Sequence, residues 1–308
     1  MGECNPNGSQ NHRFKSTTIN HIQLEKQISY ATIGSINFDL SIIATPATNR
    51  ISILNKIEGI SKSIICEKLI CSNGSDLYGW YNIANSANSL YSTGKWEVTN
   101  LKSSMNSLSE QHKLGNLKSI FISGGHCCLS TGGSHWISFF LSLLDTDDFE
   151  LSFNCNTHDF NPRSDALKTL SGFIHIHSCN LSFTINFDFG SHVPASALFN
   201  YQFGKLSVDM FGHANVMFYK NKPSFRHEAH YIANDASRSF SIEDSENHLE
   251  KNIINVINNC GVNILNGLRA SEILIYAAMS SNNKNLSKNI TFSNLREKVK
   301  NHGEVHLT

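Results

Sequence analysis

The chain has 308 residues, 40% of them hydrophobic and 10% aromatic, with 25 basic and 25 acidic side chains and a formal net charge of zero. That length suits two ordinary domains, and the balanced charge supplies no general pull toward nucleic acid or an anionic membrane surface. The longest apolar stretches, such as Ile137–Leu144, are too short to span a bilayer, and the polar first residues do not form a signal peptide, so a cytoplasmic protein with no nucleic-acid or membrane partner is expected.

Met1–Ser16 is polar and rich in Asn and Gly, which predicts a loosely packed start. From Asp39 the pattern sharpens. Leu40–Ala44 is a short apolar run, Ile51, Leu54, Ile57 and Ile60 mark one face of a helix, and Ser63–Cys66 is apolar again. Strand, helix and strand within about thirty residues fit a right-handed βαβ crossover joining a parallel pair. A further helix with Leu77, Trp80, Ile83 and Ala84 is expected between Asn73 and Ser92.

Beyond residue 95 the character changes. Leu117–Ser123, Phe149–Cys155, Gly172–Ser178, Leu181–Phe189, Ala197–Phe203, Lys205–Met210 and Ala214–Tyr219 read as strands, several with two-residue alternation and short turns between them. Helical patterns cover His135–Leu144, Asn252–Cys260 and Arg269–Met279, and Ser280–Ser287 reads as a surface loop. The expected architecture is α/β plus α+β. A Rossmann-like parallel sheet domain over residues 1–95 precedes an open, mainly antiparallel sheet domain over 96–308 with helices on one face.

The eight cysteines, at 4, 66, 71, 127, 128, 155, 179 and 260, lack paired CxxC spacing, which favours free thiols over disulfides. His175 and His177 share one strand face, and His227 and His230 are three apart. Neither pair gains a carboxylate or thiolate cluster, so no metal site is expected. Gly133-Ser134-His135 is not a hydrolase elbow, because the G-x-S-x-G pattern is absent.

Ligands of open parallel sheets bind beyond the carboxyl ends of the strands, where loops and helix N-termini converge. Two short motifs fall at that edge, Ala44-Thr45-Pro46 and Glu67-Lys68-Leu69. A third, Gly132-Gly133-Ser134-His135, opens an apolar helix. A histidine at a helix N-terminus is held toward its neutral form by the helix dipole.

Taken in order, DLSIIATPATNR at Asp39–Arg50, IICEKL at Ile64–Leu69 and GGSHWISFFLSLL at Gly132–Leu144 resemble the strand-ATP turn, the Glu-Lys-Pro motif and the His-bearing helix of the Gfo/Idh/MocA oxidoreductases. Leu114–Leu117 and Asn266–Ser280 extend the likeness, which runs from about Asp39 to Ser280. The resemblance implies a shortened N-terminal domain binding NAD or NADP and a C-terminal domain shaping a pocket for a sugar, nucleotide-sugar or polyol. It implies Lys68 beside the reacting carbinol at a pocket edge, and His135 as its acid/base partner. Thr45, Pro46, Arg50, Glu67 and Lys68 would face the cofactor, Thr131 and Ser134 the substrate, and the open sheet face would bring copies of the chain together as a homo-oligomer.

The sequence departs from that family in four places. No G-x-G-x-x-G precedes Leu40, and Asn7–Arg13 is only a partial match to a Gly-Ser variant. Leu69 stands where the motif has Pro, Thr131 where an acidic residue precedes the histidine, and Arg50 where many members carry a histidine. The alternative that these departures raise is a non-catalytic relative that keeps the fold and has lost the cofactor site.

Overall fold

The computed structural model describes residues 37–86, 89–99, 101–125, 128–158, 168–209, 213–218, 238–241, 248–283, 286–302 and 307. Asn7–Arg13, Cys4, Cys127, His227 and His230 lie outside them, as does the start of the chain. The described residues pack as one compact unit.

The first elements are β1 (Ser41–Ile43), α1 (Arg50–Ile57), β2 (Ile64–Cys66), α2 (Gly74–Ser86) and β3 (Leu90–Ser92). The strands pair in parallel in the order β1-β2-β3, with Ser41 opposite Ile64 and Ile64 opposite Leu90. β2 is buried along its whole length, as a strand covered on both faces must be, which explains its unbroken apolar run. The helix expected to reach Ser92 is two elements. α2 ends at Ser86, and Leu90-Tyr91-Ser92 pairs with β2, a strand of three residues being too short to show a period.

After α3 (Lys95–Val98) and α4 (Leu101–His112) the chain enters the second sheet. Its strands are β4 (Leu117–Gly125), β5 (Glu150–His158), β6 (Thr169–Ser178), β7 (Leu181–Asp188), β8 (Ser196–Tyr201), β9 (Gly204–Asp209), β10 (His213–Phe218), β11 (Arg238–Ser241) and β12 (Asn289–Thr291). Among the described residues they run in the order β11-β10-β9-β8-β4-β7-β6-β5-β12, antiparallel throughout except for the β4–β7 pair. The helices are α5 (Ser134–Leu141), α6 (His248–Ile257), α7 (Ile264–Asn282) and α8 (Phe292–His302). The fold is thus the parallel sheet followed by a mainly antiparallel one, as the patterning predicted.

Alternation decides which face of the large sheet is covered. Ile120 and Ile122, Ile174 and Ile176, and Phe183, Ile185 and Phe187 point inward and are fully buried, while Phe121, His177 and Asn186 point the other way and are exposed or half-exposed. Helix α5 lays Phe140 on Phe183 (ring centroids 4.8 Å) and Phe139 edge-on to Phe199 (6.4 Å). Helix α7 brings Tyr276 against Phe153, and α8 stacks Phe292 on Phe149. Aromatic pairs of this kind add roughly 0.5–1.5 kcal/mol each beyond their buried area. His175 and His177 lie on the outer face in a stacked row with Phe173, and the His175 ring shares a hydrogen bond with the Thr184 hydroxyl at 2.8 Å. Their alternation follows from the pleat.

Helix α7 is buried around almost its entire circumference, including Ser271 and Glu272. Such a helix must be packed on all sides. It contacts α2, β3, α5, β5 and α8, so one continuous core runs through both sheets. It also extends past Met279 to Asn282, so Ser280, expected in a surface loop, is a buried helical residue. The buried Glu272 carboxylate accepts from the Tyr81 hydroxyl at 2.8 Å and pairs with Arg296 at 3.3 Å, tying α2, α7 and α8 together. Among the described residues the six cysteines are free thiols, no group of three or more His, Cys, Asp or Glu could hold a metal, and no helix is long and apolar enough to cross a membrane.

Candidate active site

The carboxyl ends of the three parallel strands meet the first turn of α3 and the N-terminal half of α5, and Thr45, Arg50, Glu67, Lys68 and His135 lie around that edge. β1 ends at Ile43, and Pro46, with φ −53° and ψ 144°, starts the turn of 3-10 helix (Ala47–Asn49) that leads into α1. The Thr45 hydroxyl is buried and has no hydrogen-bond partner among the described residues.

Arg50 does something different from facing a phosphate. Only 4% exposed, it donates from Nε to the Thr45 carbonyl at 2.6 Å and from one guanidinium nitrogen to the carbonyls of Glu67 and Leu69. The guanidinium ties the ends of β1 and β2 together from within. Burial lowers its pKa, and the neighbouring Cys66 and Glu67 oppose that. Cys66 is itself pushed up to about 12 by burial, so it stays a thiol.

At the end of β2, the Glu67 carboxylate accepts from the Lys68 backbone N–H at 3.0 Å and from the Thr93 hydroxyl at 2.8 Å. Glu67 therefore organises the turn. The Lys68–Leu69 peptide is cis. The Lys68 side chain does not sit at a pocket edge: only 1% exposed, it forms an ion pair with Glu97 of α3, Nζ to Oε1, at 2.9 Å. Burial lowers the Lys68 pKa, and the charge and hydrogen bond of Glu97 act against that shift. The same Glu97 oxygen accepts from the Ser138 hydroxyl of α5, while Oε2 has no hydrogen-bond partner among the described residues.

His135 follows a turn of π-helix (Leu129–Gly133), so it lies one turn further into a helical segment than its position after Gly133 implied. Its Nδ1 accepts from the Lys95 backbone N–H at 3.4 Å, an arrangement that leaves the ring proton of the neutral form on Nε2. Burial holds its pKa well below the usual imidazole range, with the positive charges of Lys68, His248 and Lys95 acting in the same direction. The neutral imidazole expected from the helix dipole is thus secured mainly by desolvation and neighbouring cations.

The remaining expected residues do not join this cluster. Ser134 is buried and its hydroxyl donates to the Thr131 carbonyl at 2.6 Å, and the Thr131 hydroxyl reaches the Cys128 carbonyl at 3.4 Å. Both groups hold the π-turn in shape. Sequence reasoning missed Thr93, Glu97 and Ser138. A carboxylate reaches the site from α3, and the sequence carried no signal for it, because β3, the strand it follows, is too short to show a period. Stacking of Trp96 on Trp136, with centroids 4.2 Å apart, fixes α3 against α5.

A parallel sheet followed by an open, mainly antiparallel one, with helices packed across both, is the fold this chain shares with solved oxidoreductases of the Gfo/Idh/MocA type. Solved structures bear this out. An oxidoreductase from Agrobacterium radiobacter, in complex with NAD+, L-tartaric acid and magnesium, is similar with a TM-score of 0.62 at 13% identity, over 87% of this chain and 84% of that one. An inositol dehydrogenase homolog from Azotobacter vinelandii, complexed with NADH and myo-inositol, matches with a TM-score of 0.57 at 11% identity, over 82% and 78% of the two chains. KijD10, a 3-ketoreductase from Actinomadura kijaniata in complex with NADP, matches with a TM-score of 0.54 at 11% identity, over 76% and 74%. No protein-family model and no curated protein matches the chain.

Proposed function

We propose that this chain is a divergent Gfo/Idh/MocA oxidoreductase that uses NAD or NADP to interconvert a hydroxyl and a carbonyl on a sugar, nucleotide-sugar or polyol. The observation that carries the reading is the meeting of a buried, paired Lys68 with a neutral His135 at the carboxyl edge of the parallel sheet. A ligand at that edge would find the Thr45 hydroxyl, buried and with no partner among the described residues, ready to hydrogen-bond a ribose or diphosphate oxygen, so the residues there fit a nicotinamide dinucleotide. Arg50 is engaged by three carbonyls and shapes the turn that would receive the cofactor. When bound, the cofactor would supply the hydride for carbonyl reduction and accept it for alcohol oxidation.

The protein must then manage one proton on the substrate oxygen. With Nδ1 turned to the Lys95 N–H, His135 offers Nε2–H as a hydrogen-bond donor to that oxygen, polarising a carbonyl without changing its own charge. Lys68 is the acid and base. Its ammonium protonates the oxygen as an alcohol forms, and its amine takes the proton when an alcohol is oxidised. Thr93 and Glu67 fix the backbone on which Lys68 stands.

The test is titration of the purified protein with NADH and NADPH by calorimetry. Micromolar binding of either is expected, and no binding at millimolar cofactor rejects the reading. The role of Lys68 is tested in the double variant Lys68→Met/Glu97→Gln, because Lys68→Ala alone strands a buried carboxylate and confounds folding with function. Turnover should be lost with cofactor affinity retained.

A further inference from the structure

Helix α3 carries a carboxylate that no motif assigned. Glu97 leaves 7% of its side chain exposed and Lys68 leaves 1%, so their 2.9 Å contact lies away from water, where coupling between charges is far stronger than at a surface. One oxygen, Oε1, receives both the Lys68 ammonium and the Ser138 hydroxyl, which fixes the carboxylate against α5. Oε2 lies over Gly94, where even a methyl carbon would come within 2.5 Å of it, so the glycine makes room for this rotamer. Of the other ionisable groups around the pair, Glu67 at the end of β2 and His135 on α5 interact with Lys68, and Lys95 on α3 and His248 on α6 act in turn on His135.

From this arrangement we propose that Glu97 is a positioning residue that fixes the Lys68 ammonium in place and keeps it protonated between turnovers, with Ser138 locking the carboxylate. The proposal rests on the oxidoreductase reading for its purpose and on the geometry alone for its mechanism. It assigns the division of labour: Lys68 stands ready as an acid, and His135 remains a neutral donor. Without Glu97, burial favours the uncharged amine, opposed chiefly by Glu67.

The experiment follows Lys68 directly. In the full chain carrying isotope-labelled lysine, the Lys68 side-chain signal, assigned by its disappearance in Lys68→Arg, is titrated by NMR in wild type, Glu97→Gln and Glu97→Asp, and the pH profile of kcat/KM is recorded alongside. Glu97→Gln should lower the Lys68 midpoint by at least about one pH unit, a tenfold change in protonation equilibrium. The basic limb of kcat/KM for carbonyl reduction should move with it. Glu97→Asp, which keeps the charge but withdraws it, should give a smaller shift of the same sign and decides the matter if the Gln variant does not fold. An unmoved Lys68 midpoint overturns the proposal. A moved midpoint in a protein that binds neither NADH nor NADPH upholds the coupling and rejects the oxidoreductase reading instead.

Discussion

Replacing Arg50 by methionine keeps most of the aliphatic stem and removes the guanidinium that joins the ends of β1 and β2. The Leu69 carbonyl is buried with no route to water, and losing its charged donor should cost about 2 kcal/mol. The Thr45 and Glu67 carbonyls are only partly buried and can recruit water, so each should cost about 0.5 kcal/mol. Relief from burying a cation offsets part of this, and a net loss of about 2–3 kcal/mol is expected. With a urea slope near 3 kcal/mol per M, the unfolding midpoint should fall by just under about 1 M. Both urea unfolding and NADPH binding are measured on the same variant. An unchanged midpoint with a collapsed NADPH affinity would refute the structural role and return Arg50 to a phosphate.

Gly94→Ala sets a Cβ 2.5 Å from Glu97 Oε2 and 3.1 Å from its Cβ. The clash should destabilise the protein by about 2 kcal/mol and lower the Lys68 titration midpoint as Glu97→Gln does; wild-type values in both measurements would contradict the packing described. His135 supplies a pH test. Its folded-state pKa lies below the unfolded value, so the unfolded chain binds the extra proton, and stability falls as pH drops below about 6.5 toward the folded pKa. Comparing wild type with His135→Gln by urea unfolding from neutral to mildly acidic pH should show the wild type losing up to about 1.4 kcal/mol more per pH unit, and parallel curves would show that His135 titrates normally.

The periodicity of Ile51, Leu54 and Ile57 between two apolar runs made the β1-α1-β2 crossover readable, and alternation in Phe173–His177 and Leu181–Asp188 did the same for the large sheet. Other elements carried weaker signals. Leu101, Met105 and Leu108 in α4, and Phe292, Leu295 and Val299 in α8, have helical spacing diluted by Ser, Asn and Lys. β3 and β12 have three residues each and no period to find. Their pairing comes from neighbours distant in sequence.

The site divides in the same way. Lys68 and His135 stood out because each follows an element boundary at the edge where parallel sheets bind ligands. Their neighbours did not. Glu97, in Lys95-Trp96-Glu97-Val98, reads as a solvated charge, and only the seating of Trp96 on Trp136 turns it inward to Lys68. Arg50 reads as an anion binder, because a guanidinium is drawn to phosphate wherever one is near, yet three backbone carbonyls from two strand ends surround it here. By itself the sequence determined the strongly periodic strands and helices, the order of the two sheets and the residues at the ends of β1 and β2, since those depend on local periodicity and turn chemistry. Only the tertiary structure decided which charges pair and which are buried, because desolvation and ion pairing depend on groups brought together from segments far apart in the chain.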